Sequence, residues 1–343
     1  MKIFKILIYS LIGLLTAFVF KPYKDPYHKK LAKVGFFEKR AQIGNVNFNY
    51  VEGPDNGPAL LLLHAQHMDW YSYSRVLPTL SKSFHVFAID YHGHGKTVSD
   101  IESIKNVNKI GKDLTDFIKI VIKEPIYLSG NSSGGILAAW LASTEPELVK
   151  SVVLEDPALL SSEYPRVLET IADKSFAICS KFIEEGDSSN FLIYWIDSCK
   201  DFFKRQIGFN VAPMLVSSVK SYQKNHPGEA IEIWYLPKIV RLMMRGMNYY
   251  NPNFGAAFHN GTWNEGFDHQ EALRNIECPA ILLHANFKIM EDGTLNGALS
   301  QEEADKIVEL IPNCKYMRID SQHVIHLDKP EEYIEIINNF FCH

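Results

Sequence analysis

The residues with the clearest chemical potential lie in the run Tyr127-Leu128-Ser129-Gly130-Asn131-Ser132-Ser133-Gly134-Gly135. Gly130-Asn131-Ser132-Ser133-Gly134 fits G-x-S-x-G, a pattern that presents a serine hydroxyl on a sharp turn between a strand and a helix. Only residues without bulk fit two positions before and two after such a serine. Gly130 and Gly134 meet that demand for Ser132, whereas a nucleophile at Ser133 would place Asn131 in the crowded position. Ser133 then offers its main-chain N–H beside the nucleophile, where it can hold an oxyanion. A serine hydroxyl is a poor nucleophile near neutral pH and needs an imidazole within hydrogen-bond reach. Ser321-Gln322-His323-Val324-Ile325-His326 supplies two candidates, and carboxylates that could orient the ring stand at Glu155, Asp156, Glu291 and Asp292.

These residues need a scaffold, and the chain has the pattern of one. From about Phe48, short apolar runs alternate with helical spacing: Phe48–Val51, Ala59–Ala65, Phe84–Tyr91, Pro125–Ser129, Val149–Glu155, Ala280–Ala285 and Tyr316–Ile319. Several runs are continuous, as strands buried on both faces should be, so the pattern predicts an α/β domain with a mostly parallel sheet. Between about Ser161 and Asn275 the alternation stops. That stretch carries helical periodicity and many aromatics, among them Phe191, Trp195, Phe202, Trp234 and Tyr250, and it predicts a helical insertion.

With serine, imidazole and alternation in this order, the sequence resembles the α/β-hydrolase superfamily, in particular serine-nucleophile members with a helical cap between the sixth and seventh strands. The resemblance covers about Asn47 to Phe341. It implies an eight-stranded, mostly parallel sheet with core segments 47–160 and 276–343 and a cap over 161–275. It also implies that His323 is the base, because it takes the place of the histidine in the family's Gly-His pattern before a proline, here Pro330, with Gln322 replacing the glycine. The second oxyanion donor maps onto the N–H of Gln66, after His64-Ala65, where the family usually has His-Gly. Asp90-Tyr91-His92-Gly93-His94-Gly95 is similar to the family's Asp-x-x-Gly-x-Gly turn and reads as structural. The family's usual acid position after strand seven falls near Lys288, so the acid is assigned to Asp292, with Glu155 second and Glu291 third.

Composition narrows the remaining classes. The chain has 343 residues, 46% apolar and 22% charged, with net charge −5, which gives no reason to expect a nucleic acid partner. Five scattered cysteines without C-x-x-C spacing, and His92-Gly93-His94 without its completing ligands, give no metal site, and no cofactor is implied. Ile6 to Phe20 is an uncharged apolar stretch between Lys2/Lys5 and Lys21/Lys24/Lys29/Lys30. Residues 1–22 are therefore expected to be a single-pass membrane anchor or an uncleaved signal, and 23–46 a linker. The heavier lysine load after the segment favours a cytoplasmic body.

The combined expectation is a membrane-anchored serine esterase, lipase-like, acting on a small lipophilic acyl substrate through Ser132, His323 and Asp292. A hydrolase-fold binding protein with a vestigial triad and an acyltransferase remain the alternatives.

Overall fold

The computed structural model describes residues 24–186 and 190–342. Helix α1 (Pro26–Lys33) leads into strands β1 (Phe37–Ile43), β2 (Val46–Glu52), β3 (Ala59–Leu63) and β4 (His85–Asp90). Then come α2 (Val107–Phe117), β5 (Ile126–Asn131), α3 (Ser133–Thr144) and β6 (Val149–Glu155). The insertion follows with α4 (Asp173–Glu184), α5 (Phe191–Ser198), α6 (Lys200–Ile207), α7 (Ala212–Asn225), α8 (Lys238–Met247) and α9 (Pro252–His259). The chain closes with β7 (Ala280–His284), α10 (Gln301–Leu310), β8 (Cys314–Arg318) and α11 (Pro330–Phe341).

The eight strands form one sheet in the order β1-β2-β4-β3-β5-β6-β7-β8. The pairs from β4 onward are parallel, and only β1/β2 and β2/β4 are antiparallel. Side-chain alternation sorts the continuous apolar runs onto two faces. Leu61, Leu63, Leu128, Val152, Leu154 and Leu282 join one core, while Leu60, Leu62, Val153, Ile281 and Leu283 join the core on the opposite face. Helices cover both faces, which is why these strands carry no polar alternation.

Two expectations need correction or restriction. Residues 23–46 are not a linker: they contain α1 and β1. Strand β1 escapes recognition because it is an antiparallel edge whose Phe37, Glu38, Lys39 and Arg40 are exposed, so it never needed an apolar run. The anchor expected over residues 1–22 lies outside the described residues. Among those described, no helix is long and apolar enough to cross a membrane.

The insertion is seated on the core by a buried charge cluster. Arg245 on α8 is 5% exposed; its Nε donates to Asp69 Oδ2 at 2.8 Å and its Nη1 to Glu232 Oε1 at 3.1 Å. The guanidinium lies 4.4 Å from the centre of the Tyr71 ring. Helix α1 joins the same cluster, with Asp25 N–H donating to Glu232 Oε2 at 2.9 Å. Next to Arg245, Gly246 allows α8 to touch the loop after β3: a Cβ there would come within 2.2 Å of the His67 carbonyl oxygen. Truncation of Arg245 would leave buried Asp69 without its cation and Glu232 with His28 as its remaining side-chain partner, and breaking a buried pair in this way costs about 3–5 kcal/mol. Arg245→Ala is therefore expected to lower the urea unfolding midpoint by an amount equivalent to that loss, or to detach the helical insertion in a separate early transition. An unchanged midpoint would show that the cluster does not hold the two parts together.

Candidate active site

The carboxyl ends of β3, β5 and β6 and the loop after β8 converge where the two serines lie. Ser132 adopts φ 57° and ψ −119°, a left-handed conformation rare for a residue with a side chain, between β5 and α3. Close packing enforces this turn. A Cβ on Gly130 would meet the Gly134 carbonyl oxygen at 2.1 Å, and one on Gly134 would meet the Leu63 carbonyl oxygen at 2.3 Å. The Ser132 N–H is bonded to the Glu155 carbonyl at 3.1 Å, which ties the elbow to the neighbouring strand.

The two serines part company here. Ser133 is 2% exposed, and its hydroxyl hydrogen-bonds Tyr91 Oη at 2.9 Å; Tyr91 Oη in turn donates to the His64 carbonyl at 3.0 Å. Its side chain is thus committed to the core. Ser132 borders two cavities, one of about 170 Å³, which Ser133 also touches, and one of about 480 Å³, which Ser133 does not; both are shared with Gln66, Ala172, Phe176 and His323. Val167, Thr170 and Phe258 help line the smaller one; Met68, Ile239, Met243 and Leu327 line the larger, with Lys238 and Asp328.

His323 Nδ1 pairs with Asp156 Oδ2 at 2.6 Å. Asp156 is 1% exposed, has φ 39°, and its other oxygen accepts the Ala285 N–H at 3.1 Å. Burial works against a protonated His323 ring, but the hydrogen bond and charge of Asp156, with the charge of Glu155 behind it, outweigh burial and raise its pKa above 6.5. The ring still keeps 38% of its side-chain surface open.

The acid expected from sequence is displaced. Asp292 sits exposed on a turn between the short strands Lys288–Ile289 and Leu295–Asn296, its Oδ1 accepting the Thr294 N–H at 3.0 Å. Glu291 is exposed on the same turn. Glu155, the second choice, is fully buried but serves the other histidine: its carboxylate accepts from the His326 N–H and contacts His326 Nδ1 at 2.8 Å. Strand parity explains the division. Glu155 follows Val153 on the face that holds Tyr73 and Tyr333, where His326 stacks on Tyr73 at 3.9 Å between ring centres. Asp156, past the strand end and in a positive-φ turn, is aimed at His323 instead. The sequence presented two adjacent acids and two histidines three apart; parity beyond a strand end was the missing signal.

The loop after β3 is also defined by its conformation. His64 is buried, which drives its pKa down to about 3, and its neutral ring donates from Nδ1 to the Ala65 carbonyl at 2.8 Å. The Gln66 amide donates to Tyr250 Oη. No main-chain acceptor engages the Gln66 N–H among the described residues, and Ser133, the first residue of α3, has no intrahelical acceptor by geometry. Ala65 and Gln322 replace family glycines without strain, because neither has a positive φ; in this loop His67 does, at 64°.

Other ligand-type residues have structural partners. Asp90 accepts from the N–H groups of Trp70 and Lys96 and from the Asn49 amide, and a Cβ on Gly95 would lie 2.0 Å from its carboxylate, so the turn after β4 is built around that side chain. His92 Nε2 meets Asp113 at 2.9 Å. Among the described residues no group of three or more His, Cys, Asp or Glu side chains could hold a metal ion.

Comparison with known proteins agrees with this architecture. Residues 58–330 match the family described as alpha/beta hydrolase fold. A pimeloyl-[acyl-carrier protein] methyl ester esterase of Nitrosospira multiformis is 23% identical over 85% of this chain and 97% of its own length. The magnesium-chelatase 30 kDa subunit of Rhodobacter capsulatus is 30% identical, over 31% of this chain and 38%, less than two thirds, of that protein. The crystal structure of a carboxylesterase from Bacillus subtilis superposes with TM-score 0.62 at 16% identity, over 92% of this chain and 95% of that one. With most of its length matched by the family model and the elbow, sheet order and helical insertion all in place, the chain belongs to the alpha/beta hydrolase fold family.

Proposed function

We propose that this family member is a serine hydrolase that cleaves a lipophilic ester, with Ser132 as nucleophile, His323 as general base and Asp156 as the orienting acid. The observation that carries the reading is the His323 Nδ1 to Asp156 Oδ2 pair at 2.6 Å beside two cavities that Ser132 and His323 share. With Nδ1 protonated and given to Asp156, the other ring nitrogen is the acceptor for the Ser132 proton. Attack on the acyl carbon places negative charge on the former carbonyl oxygen, and the N–H groups of Gln66 and Ser133 are the donors for it. The proton on His323 passes to the departing alcohol, and the same ring then activates water to release the acyl group from Ser132.

Mostly apolar walls around a few polar groups suit an ester with hydrocarbon on both sides of the scissile bond. The smaller cavity accepts the shorter arm and the larger cavity the longer one. Its relatives' names, which include a methyl ester esterase, support ester chemistry. The uncharged stretch Ile6–Phe20 supports a further element of the reading, an anchor that holds the body at a membrane on its cytoplasmic side.

Two experiments test the assignment. On a p-nitrophenyl ester series from acetate to long acyl chains, Ser132→Ala is expected to lose turnover by about 10⁴-fold or more, and a fluorophosphonate probe is expected to label wild type alone. Labelling that survives the substitution would move the nucleophile elsewhere. The second experiment uses pH. His323 acts as base only when neutral, so kcat/KM should rise with pH through a midpoint above 6.5 in the wild type. Asp156→Asn removes the hydrogen bond and charge that raise that pKa; the midpoint should fall, and the rate should drop by roughly 10³–10⁴-fold. Asp292→Asn should leave both rate and midpoint in place; if instead it reproduces the Asp156→Asn profile, the acid assignment is wrong.

A further inference from the structure

Large apolar side chains are mostly buried in this molecule, and among the exceptions two adjacent aromatics stand at one tip of the helical insertion. Between α7 and α8 runs Ile231-Glu232-Ile233-Trp234-Tyr235-Leu236-Pro237. Ile231, Glu232 and Ile233 are buried, whereas Trp234 is 50% and Tyr235 45% exposed. Their rings stand perpendicular, 5.8 Å apart. The Tyr235 hydroxyl bonds the Ser218 hydroxyl on α7, and Ser218 Oγ also donates to the carbonyl of Met214, whose side chain is exposed. Ile239, in the first turn of α8, is 46% exposed and also lines the larger cavity. Adjacent exposed tryptophan and tyrosine leave apolar area in water, and their half-apolar rings match the boundary between lipid and water.

Two observations say what covers this tip. The first is where the chain comes from. Asp25 N–H is bonded to Glu232, two residues before Trp234, and Asp25 also pairs with Arg241 at 3.5 Å. Only Lys21-Pro22-Tyr23-Lys24 separates Asp25 from the uncharged Ile6–Phe20 stretch, and four residues reach at most about 14 Å. The end of the apolar segment is therefore tethered within that reach of Asp25, which is bonded to Glu232 beside the tip. The second is charge: Lys24 just before α1 and Lys29, Lys30 and Lys33 on it are exposed, as suits a surface of phosphate head groups.

We propose that Trp234 and Tyr235, with Met214 and Ile239, form a bilayer-docking surface that lays the mouth of the larger cavity against lipid. Substrate then enters from the membrane rather than from water, and the tip supplies the second contact that orients the body about its N-terminal segment. The surface rests on the membrane anchor read from Ile6–Phe20 and not on the reaction assigned to Ser132, so loss of vesicle binding and loss of turnover are separate outcomes.

Tryptophan fluorescence tests it directly. All five tryptophans lie among the described residues; Trp70, Trp140, Trp195 and Trp263 are at most 8% exposed, so Trp234 is the one open to a membrane. The full-length chain is mixed with phosphatidylcholine/phosphatidylglycerol vesicles whose acyl chains are or are not brominated. Emission from the wild type should be quenched by the brominated lipid, and the quenching should vanish in Trp234→Phe. Acrylamide quenching of the unaltered wild type should also fall when vesicles are added, a readout that needs no variant. Failure of the full chain to bind vesicles, equal emission in the two vesicle types, or quenching that persists in Trp234→Phe would each overturn the proposal. Shielding from acrylamide before vesicles are added, with a doubled mass in solution, would assign the tip to a second copy of the chain instead.

Discussion

The closeness of the backbone around Ser132 governs the rest of the site. Gly130 and Gly134 have no room for a methyl group, because the start of α3 is pressed against the end of β5 and against the Leu63 and His64 carbonyls at the end of β3. That approach forces Ser132 into a left-handed conformation, which costs on the order of 1–3 kcal/mol and persists only where the surroundings over-determine it. Here they do. Helix α3 is buried along most of its length from Ser133 to Ala142, and a helix apolar on all sides has nowhere to go but the core. The same contact brings the first N–H of α3 and the loop after β3 to one point, so the Ser132 turn and the N–H groups of Ser133 and Gln66 are set by one packing arrangement.

Electrostatics then divides four ionisable groups into two pairs. Glu155 and Asp156 are adjacent in sequence, yet they serve different histidines. The Glu155–His326 pair is fully buried beneath the site, stacked on Tyr73 and bonded to the backbone, and neither residue lines the two cavities. The Asp156–His323 pair has one dry end and one open end, since Asp156 is buried and the ring borders both cavities. A carboxylate held in a dry place raises the affinity of its partner for a proton, while the open side of that partner can exchange one. A histidine in the first setting is a structural element; one in the second can be a base.

The contrast between these pairs also marks how far sequence reaches. Continuous apolar runs announced the buried strands β3 to β7 because burial on both faces leaves no alternative composition. The elbow was legible for a steric reason, since glycine is the only residue that fits at 130 and 134. Strand β1 was not legible, because an exposed edge strand is specified by its partner and not by its own apolar content. Nor was the carboxylate that meets His323: the loop holding Asp292 has suitable spacing but folds outward as a hairpin turn, and spacing along a chain does not report direction. Which of Glu155 and Asp156 meets His323 depends on the point where strand alternation ends, a single residue that propensity does not define.

Helix α8 ties these local features to the shape of the cavities. Its first turns place Lys238, Ile239 and Met243 on the larger cavity, and its last turn places Arg245 in the buried charge cluster and Gly246 on the His67 carbonyl. One element thus forms a wall of the larger cavity and a backing for the loop that carries the Gln66 N–H. The polar cluster makes that seating directional, since Arg245 must meet Asp69 on one side and Glu232 on the other, whereas an apolar contact could slide. Because Asp25 bonds the same Glu232, the path of the chain from its N-terminal segment is fixed to the helix that shapes the cavity.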